Sequence, residues 1–233
     1  MYLLAKAAGD NMIGLNDLRE NYTVFCDFDG TITEKDGTVE LVKKYGREIN
    51  NNAEEMYKAG KANNREVMAL HYYTMGLSTK QYYGMIYSIA MDSTFCRFYK
   101  ALGKAGIKME VLSGSPSKGI EDYFRKMGYE GIVVHGNIME IKNDTVLFSA
   151  ATKIEESLCR RGDCAHCKSS WIEKEHRKGR KVIFIGDGLT DTCAAGHADL
   201  VFAKKSLARH CAEAGINFTP YSNFDDIHQC LFN

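Results

Sequence analysis

The stretch Val24-Phe25-Cys26-Asp27-Phe28-Asp29-Gly30-Thr31-Ile32-Thr33 carries an apolar run that ends in two aspartates one residue apart. A glycine and a hydroxyl residue follow at once. Residues 22–26 are few and rich in β-formers, which predicts a buried strand. Gly30 lets the backbone turn away. Asp27 and Asp29 then stand at the carboxyl end of a buried strand, where open α/β sheets bind ligands. Paired carboxylates there suit a divalent cation and a phosphate. The expectation is a phosphoryl-transfer site with Asp27 as nucleophile.

Working outward, the character changes from Gly37 to about Ala90. Val39 and Val42 share one helical face, and Gly46 and the run Asn50-Asn51-Asn52 are expected to interrupt that helix. Further helices are predicted over 53–59, 65–75 and 79–89, the last with Ser78 as N-cap. This stretch is rich in Tyr and Met and holds no convincing strand. It reads as a helical cap inserted at 37–90, with 1–36 and 91–233 forming an α/β core.

Alternation then resumes. A helix over 95–104 ends at Gly106, and a strand over 107–112 enters Ser113-Gly114-Ser115-Pro116. A helix over 119–127, a short strand over 131–134 and a small hairpin over 138–148 turning at Asn143-Asp144 follow. Residues 149–167 read as an irregular loop and 168–178 as a helix. A strand over 181–185 enters Gly186-Asp187-Gly188-Leu189-Thr190-Asp191. A helix opens at Thr192, a strand spans 200–203, and two helices close the chain over 207–214 and 224–231. Strands separated by helices predict a doubly wound, parallel α/β sheet.

Composition narrows the function. The 233 residues hold 30 Lys plus Arg against 30 Asp plus Glu, so no global field recruits nucleic acid or an anionic membrane. Apolar runs fall short of the roughly 18 residues that span a bilayer, and the mildly apolar 1–9 is too short for a signal peptide. Met12 is a second candidate start, with the first eleven residues outside the core. Eight scattered cysteines read as mostly reduced thiols of a cytoplasmic protein. The expected partner is a small-molecule phosphomonoester, with no nucleic acid and no membrane; the oligomeric state is left open.

Three strand ends and one helix start carry the polar groups: Asp27 and Asp29, Ser113, Lys168, then Asp187 and Asp191. A phosphate-ester hydrolase needs a nucleophile, an acid/base, donors for phosphoryl oxygens, a fixed cation and a metal cage. In order and spacing the set resembles the haloacid-dehalogenase-like phosphatase superfamily, over about 22–231. Asp27-Phe28-Asp29-Gly30-Thr31 is similar to its first motif, Ser113-Gly114 to its second, Lys168 to its third, and Gly186-Asp187-Gly188 through Asp191 to its fourth. The insert resembles the cap of the phosphoserine-phosphatase-like branch.

The resemblance implies a Rossmann-like core and assigns roles. Asp27 would form an aspartyl-phosphate, and Asp29 would serve as acid and then base. Mg²⁺ would sit on Asp27, the Asp29 main-chain carbonyl and Asp187, with Asp191 orienting a water ligand or Lys168. Ser113, the Gly114 N–H and Lys168 would hold the phosphoryl oxygens, with Thr190 beside them. In the cap, Asp36 stands near the position that reads an amino group. His71 falls where that branch carries an Arg for the substrate carboxylate, and a His does not replace an Arg fork. Arg65 is the lone Arg of 60–95. His71, Tyr72, Tyr73 and Met75 suggest an aromatic, partly apolar surface, or else core packing of the cap.

Two groups of relatives remain. Methionine-salvage phosphatases acting on an enol phosphate have a similar cysteine-bearing segment before the lysine, and theirs is the nearer resemblance. Phosphoethanolamine/phosphocholine phosphatases share Gly-Asp-Gly with a following Asp and Cys. Cys159, Cys164 and Cys167, with His166 among them, could hold a structural Zn²⁺ or remain loop thiols. A phosphotransferase or mutase of the same fold and a non-catalytic ligand-binding regulator are the competing readings.

Overall fold

Tyr22–Cys26 forms β1, and all five residues are buried. The computed structural model describes residues 14–153 and 164–232. A short helix, α1 (Leu15–Asn21), leads into β1 and buries Leu18. Four helices follow: α2 (Gly37–Tyr45), α3 (Glu48–Lys58), α4 (Asn64–Met75) and α5 (Thr79–Ile86). The chain then runs through α6 (Phe95–Ala105), β2 (Met109–Pro116), α7 (Ser117–Lys126), β3 (Val133–Lys142) and β4 (Thr145–Ser149). The remainder is α8 (Lys168–Arg177), β5 (Lys181–Gly186), α9 (Thr192–His197), β6 (Leu200–Ala203), α10 (Lys205–Ala214), β7 (Thr219–Pro220) and α11 (Phe224–Phe232).

The sheet runs β4-β3-β2-β1-β5-β6-β7. Every neighbouring pair is parallel except β3 with β4. β1 is central, paired with β2 on one side and β5 on the other. The strand order therefore reverses at β1, and such a switch point opens a crevice at the carboxyl ends of the strands. The residues just beyond β1 and β5, and the last residues of β2, share that crevice.

Side-chain alternation builds one apolar layer on each face of the sheet. Val24, Cys26, Ile183 and Ile185 join Phe95, Phe98, Ile120, Phe124 and Phe224 from α6, α7 and α11. Phe25, Val182 and Phe184 join Ile172, Ala194, Leu207 and Cys211 from α8, α9 and α10. Burying Phe25 and Phe184 contributes about 1.5–3 kcal/mol each. Both faces being covered, the doubly wound α/β expectation holds.

The local differences have physical causes. Asn50-Asn51-Asn52 lies inside α3, which begins at Glu48. Asn50 Oδ1 accepts from the Arg47 N–H at 2.8 Å, so asparagine supports the helix start here. β2 continues past Leu112 to Pro116 through a register shift. The expected short strand and hairpin merge into one long β3, which turns into β4 at Asn143-Asp144, both with left-handed φ (48° and 60°). β7 is two residues long and too short to leave a periodic signal.

The four helices between β1 and α6 are tied to the sheet in two places. Where the chain leaves and re-enters, Thr33 and Met91 form an antiparallel bridge. At the far end, the Val146 N–H donates to the Leu77 carbonyl at 2.9 Å and Tyr72 stacks on Phe148. Among the described residues, no helix is long and apolar enough to cross a membrane.

Candidate active site

Asp27 follows β1 directly, and its N–H donates to the Ile185 carbonyl of β5 at 2.9 Å. The carboxylate is buried. Lys168, the first residue of α8, reaches it from below: Nζ donates to Asp27 Oδ1 at 2.5 Å and to Asp191 Oδ1 at 2.6 Å. The other oxygen of Asp191 accepts from the N–H groups of Asp187 and Gly188, both at 3.0 Å. With three donors Asp191 braces both Lys168 and the loop after β5. Asp187 accepts from Lys205 at 2.9 Å and from the Thr31 hydroxyl at 3.3 Å.

Asp29 stands across the crevice. Its Oδ2 accepts from the Ser113 hydroxyl at 3.1 Å and its Oδ1 from the Gly37 N–H at 2.9 Å. The register shift in β2 falls between Leu112 and Pro116 and frees Ser113 and Gly114 from the ladder, a common use of irregular strands beside sites. A side chain at Gly114 would meet no protein atom within 4 Å. The space it would fill belongs to the cleft.

The cleft has a volume of about 270 Å³. Asp27, Asp29, Gly114, Asp187 and Thr190 line its floor; Asp36, Val39, Glu54, Tyr57, Lys58, Val67 and Met68 line the wall made by α2, α3 and α4. A second hollow of about 430 Å³ adjoins Gly30 and Lys205 but is lined by none of Asp27, Asp29 and Asp187, which all line the first, so the chemistry belongs to the first.

The electrostatics of the cleft suit a cation. Burial pushes the Asp27 carboxyl well up, with Asp191 adding to it and Lys168 opposing. Burial also raises Asp187. Burial alone would lower the Lys168 ammonium, but Asp191 and Asp27 hold it firmly protonated. Oxygens of Asp27, Asp187 and Asp191 lie within 4.8 Å of one another. With Asp29, four carboxylates face three ammonium groups among the described residues, Lys168, Lys205 and the nearby Lys204. A hard divalent cation fits that donor set and that deficit.

Asp36 caps α2, accepting from the Val39 N–H at 2.9 Å, while lining the cleft. Protein packed around it and the nearby Asp29 push its carboxyl up to about 7, and water in the open cleft offsets part of that. His71 corrects the sequence expectation. It is fully buried inside the four-helix segment, donates from Nε2 to Glu54 Oε1 at 2.8 Å and accepts from Asn50. Glu54 lines the cleft and His71 does not. Arg65 also turns away: it donates to the main-chain carbonyls of Thr152 and Cys164, at 2.5 and 3.0 Å.

Two contributors escaped the sequence reading. Lys205 ties Asp187 to the Gly30 carbonyl, and Glu54 takes the place expected for His71. Neither contact follows from local spacing. For the cysteines, Cys159 lies outside the described residues, and among the described residues the metal-type grouping contains no cysteine. The Zn²⁺ expectation gains no support.

A doubly wound sheet with an acidic, lysine-braced crevice at its switch point defines a phosphoryl-transferring hydrolase. The haloacid dehalogenase-like hydrolase family matches residues 24–196, and the chain belongs to it. Its relatives include the 2-hydroxy-3-keto-5-methylthiopentenyl-1-phosphate phosphatase of Bacillus pumilus (strain SAFR-032), 30% identical over 214 residues and 88% of each chain. The enzyme of that name from Bacillus cereus (strain ATCC 10987 / NRS 248) is 27% identical over 89% of this chain and 94% of its own. Among solved structures, a phospho-aspartyl intermediate analogue of phosphoserine phosphatase superposes with a TM-score of 0.67 at 16% identity, covering 91% of this chain and 98% of that one. The chain is a phosphatase of this family.

Proposed function

We propose that this phosphatase hydrolyses a small, uncharged-tailed sugar-type phosphomonoester, of the methylthio-substituted enol-phosphate kind named for its relatives. The observation that carries this reading is the cleft wall. It combines Val39, Val67 and Met68 with Asp36, Glu54 and Lys58, and among the described residues no guanidinium lines it. Arg65 is already engaged with Thr152 and Cys164. Among these described residues a substrate carboxylate would find no planar fork, only the single Lys58 ammonium set against two carboxylates. A thioether tail suits Met68 and its aliphatic neighbours.

In this reading residues 37–90 are a cap over the core. Asp27 attacks phosphorus and carries the phosphoryl group as an aspartyl-phosphate. Asp29 gives a proton to the leaving oxygen, then takes one from the water that hydrolyses the intermediate. Lys168, the Ser113 hydroxyl and the Gly114 N–H hold the phosphoryl oxygens. Asp27, Asp187 and the Asp29 carbonyl would hold Mg²⁺, which offsets the repulsion between nucleophile and ester. Asp191 fixes Lys168. Eight cysteines scattered along a chain long enough to bury an ample core support a reducing, cytoplasmic setting.

A second reading rests on Asp36 and Glu54, whose charges would pair with an ammonium head group such as that of phosphoethanolamine. Phosphate release from a panel separates the two: a methylthio-ketose enol phosphate, phosphoserine, phosphoethanolamine and phosphocholine. The expected result is a kcat/KM at least 100-fold higher for the first than for phosphoserine, lost in Asp27→Asn and on chelation of Mg²⁺. A preference for an amine substrate would install the second reading. Release that needs an organic acceptor would make the enzyme a transferase.

A further inference from the structure

His166 lies two residues before Lys168 and behind the phosphoryl-binding floor, 7% exposed. The Trp171 indole donates to His166 Nε2 at 3.0 Å. An indole N–H is a donor only, so Nε2 accepts and the ring's proton sits on Nδ1. That Nδ1 is buried without a hydrogen-bond partner. Burial, with Lys168 adding to it, holds the imidazole down to about 3 and the ring neutral; the Ser113 main chain lies beside it and opposes that only in small part. Ser113 in turn offers its hydroxyl to Asp29 and accepts the Ser115 N–H at 2.9 Å.

Trp171 is itself fixed. The His135 ring stacks on it with centroids 3.6 Å apart, and Lys174 lies over the indole at 3.9 Å. His135 is held by Glu110 of β2 at 2.5 Å. A row of groups therefore runs from Glu110 through His135 and Trp171 to His166, which sits between the two strand and helix ends that present Ser113 and Lys168. Nothing in this row touches the cleft.

We propose that His166, its tautomer set by Trp171, is a positioning residue that directs Nδ1–H at the Ser113 main-chain carbonyl. It thereby holds Ser113 and Lys168 at the spacing a phosphoryl group requires. The interaction tightens when the phosphoryl oxygens draw Ser113 and Lys168 together. An otherwise costly buried donor is kept for that contact.

The test uses the full-length enzyme with p-nitrophenyl phosphate as substrate and inorganic phosphate as competitive inhibitor, so it does not depend on the natural substrate. His166→Phe keeps the ring volume and removes the donor; it should raise the phosphate Ki about tenfold with a thermal midpoint within a few degrees of the parent. His166→Asn retains a donor near the Nδ1 position and should recover most of the loss. Trp171→Phe keeps the stack and frees the tautomer. In ¹⁵N-histidine spectra the parent should show His166 protonated at Nδ1 alone, and Trp171→Phe a mixture. A parent ring protonated at Nε2 overturns the proposal even if His166→Phe fails to fold. So does a His166→Phe enzyme with unchanged Ki, or a loss that His166→Asn does not recover.

Discussion

Gly30 and Asp187 meet with no room for a methyl group between them: a Cβ on Gly30 would stand 2.4 Å from Asp187 Oδ2. Gly30 also has φ +74°, which a β-carbon disfavours. The turn after β1 and the acid after β5 are thus fitted to each other, with Lys205 binding both. Gly30→Ala should cost about 1–3 kcal/mol of stability and lower kcat more than tenfold by displacing Asp187. Gly114→Ala, whose Cβ would enter open cleft, should keep the parent's melting temperature while raising KM. Thermal unfolding and steady-state kinetics on the two variants check this; equal behaviour of the pair would refute the assigned difference.

Lys168 is the buried counter-charge of both Asp27 and Asp191. Lys168→Met leaves two buried carboxylates without it, and breaking such a pair is strongly destabilising. The expected loss is about 3 kcal/mol in urea unfolding without Mg²⁺, with part recovered when Mg²⁺ is added by mass action on the folded state. Turnover should fall at least a thousandfold, because the proposed mechanism sets the same ammonium on the phosphoryl oxygens. A variant of parental stability in the absence of metal would show that the ion pairs are not integral to the fold.

These two sites also mark what local sequence conveys. Asp27, Asp29, Ser113, Lys168, Asp187 and Asp191 lie at element ends, where an apolar run stops against glycine or a hydroxyl, and that punctuation is visible in the chain. The sheet was legible for the same reason: residues 22–26 and 181–185 are apolar on both faces. Glu54 and Lys205 were not legible, since each lies within a helix or at its start among ordinary charged residues. Their meaning comes from contacts made across the fold, to His71 in one case and to Asp187 and Gly30 in the other. His71 misled because a histidine in a cap reads equally as ligand or as core, and here it packs inside. The asparagine run misled because Asn50 uses its side chain to start α3 rather than to break it.

Acid should weaken the fold partly through Glu110. The hydrogen bond from His135, reinforced by Lys108, outweighs burial and holds its carboxyl down from 4.5 to about 2. The folded-state value lies below the unfolded one, so the contribution is complete above about pH 4.5 and disappears as pH falls toward 2. Water reaches one side of the group, which limits the effect to about 1–2 kcal/mol. Glu110→Gln keeps an acceptor for His135 and removes the titration. The stability gap between parent and variant should therefore shrink by about 1 kcal/mol between pH 6 and pH 3, as read by urea unfolding at each pH. A constant gap would exclude Glu110 from the acid response.

The β3–β4 hairpin offers a gain rather than a loss. Asn143 and Asp144 both have left-handed φ, 48° and 60°, the pattern of a two-residue turn whose twist matches the flanking strands. Asparagine tolerates that region well, whereas aspartate at the second position bears a larger steric penalty than glycine. The Asp144 carboxylate also accepts from the Thr79 N–H at 3.3 Å, and its main-chain carbonyl accepts from the same group at 3.1 Å. Asp144→Gly keeps the shorter, main-chain bond and relieves the backbone. The expected net change is a stabilisation of about 0.5 kcal/mol. The hairpin also anchors the far end of α4 and α5 through Val146 and Leu77. Hydrogen exchange at the Val146 and Thr79 amides should therefore slow in the variant. Faster exchange there, or a lower melting temperature, would mean that the carboxylate contact outweighs the backbone relief.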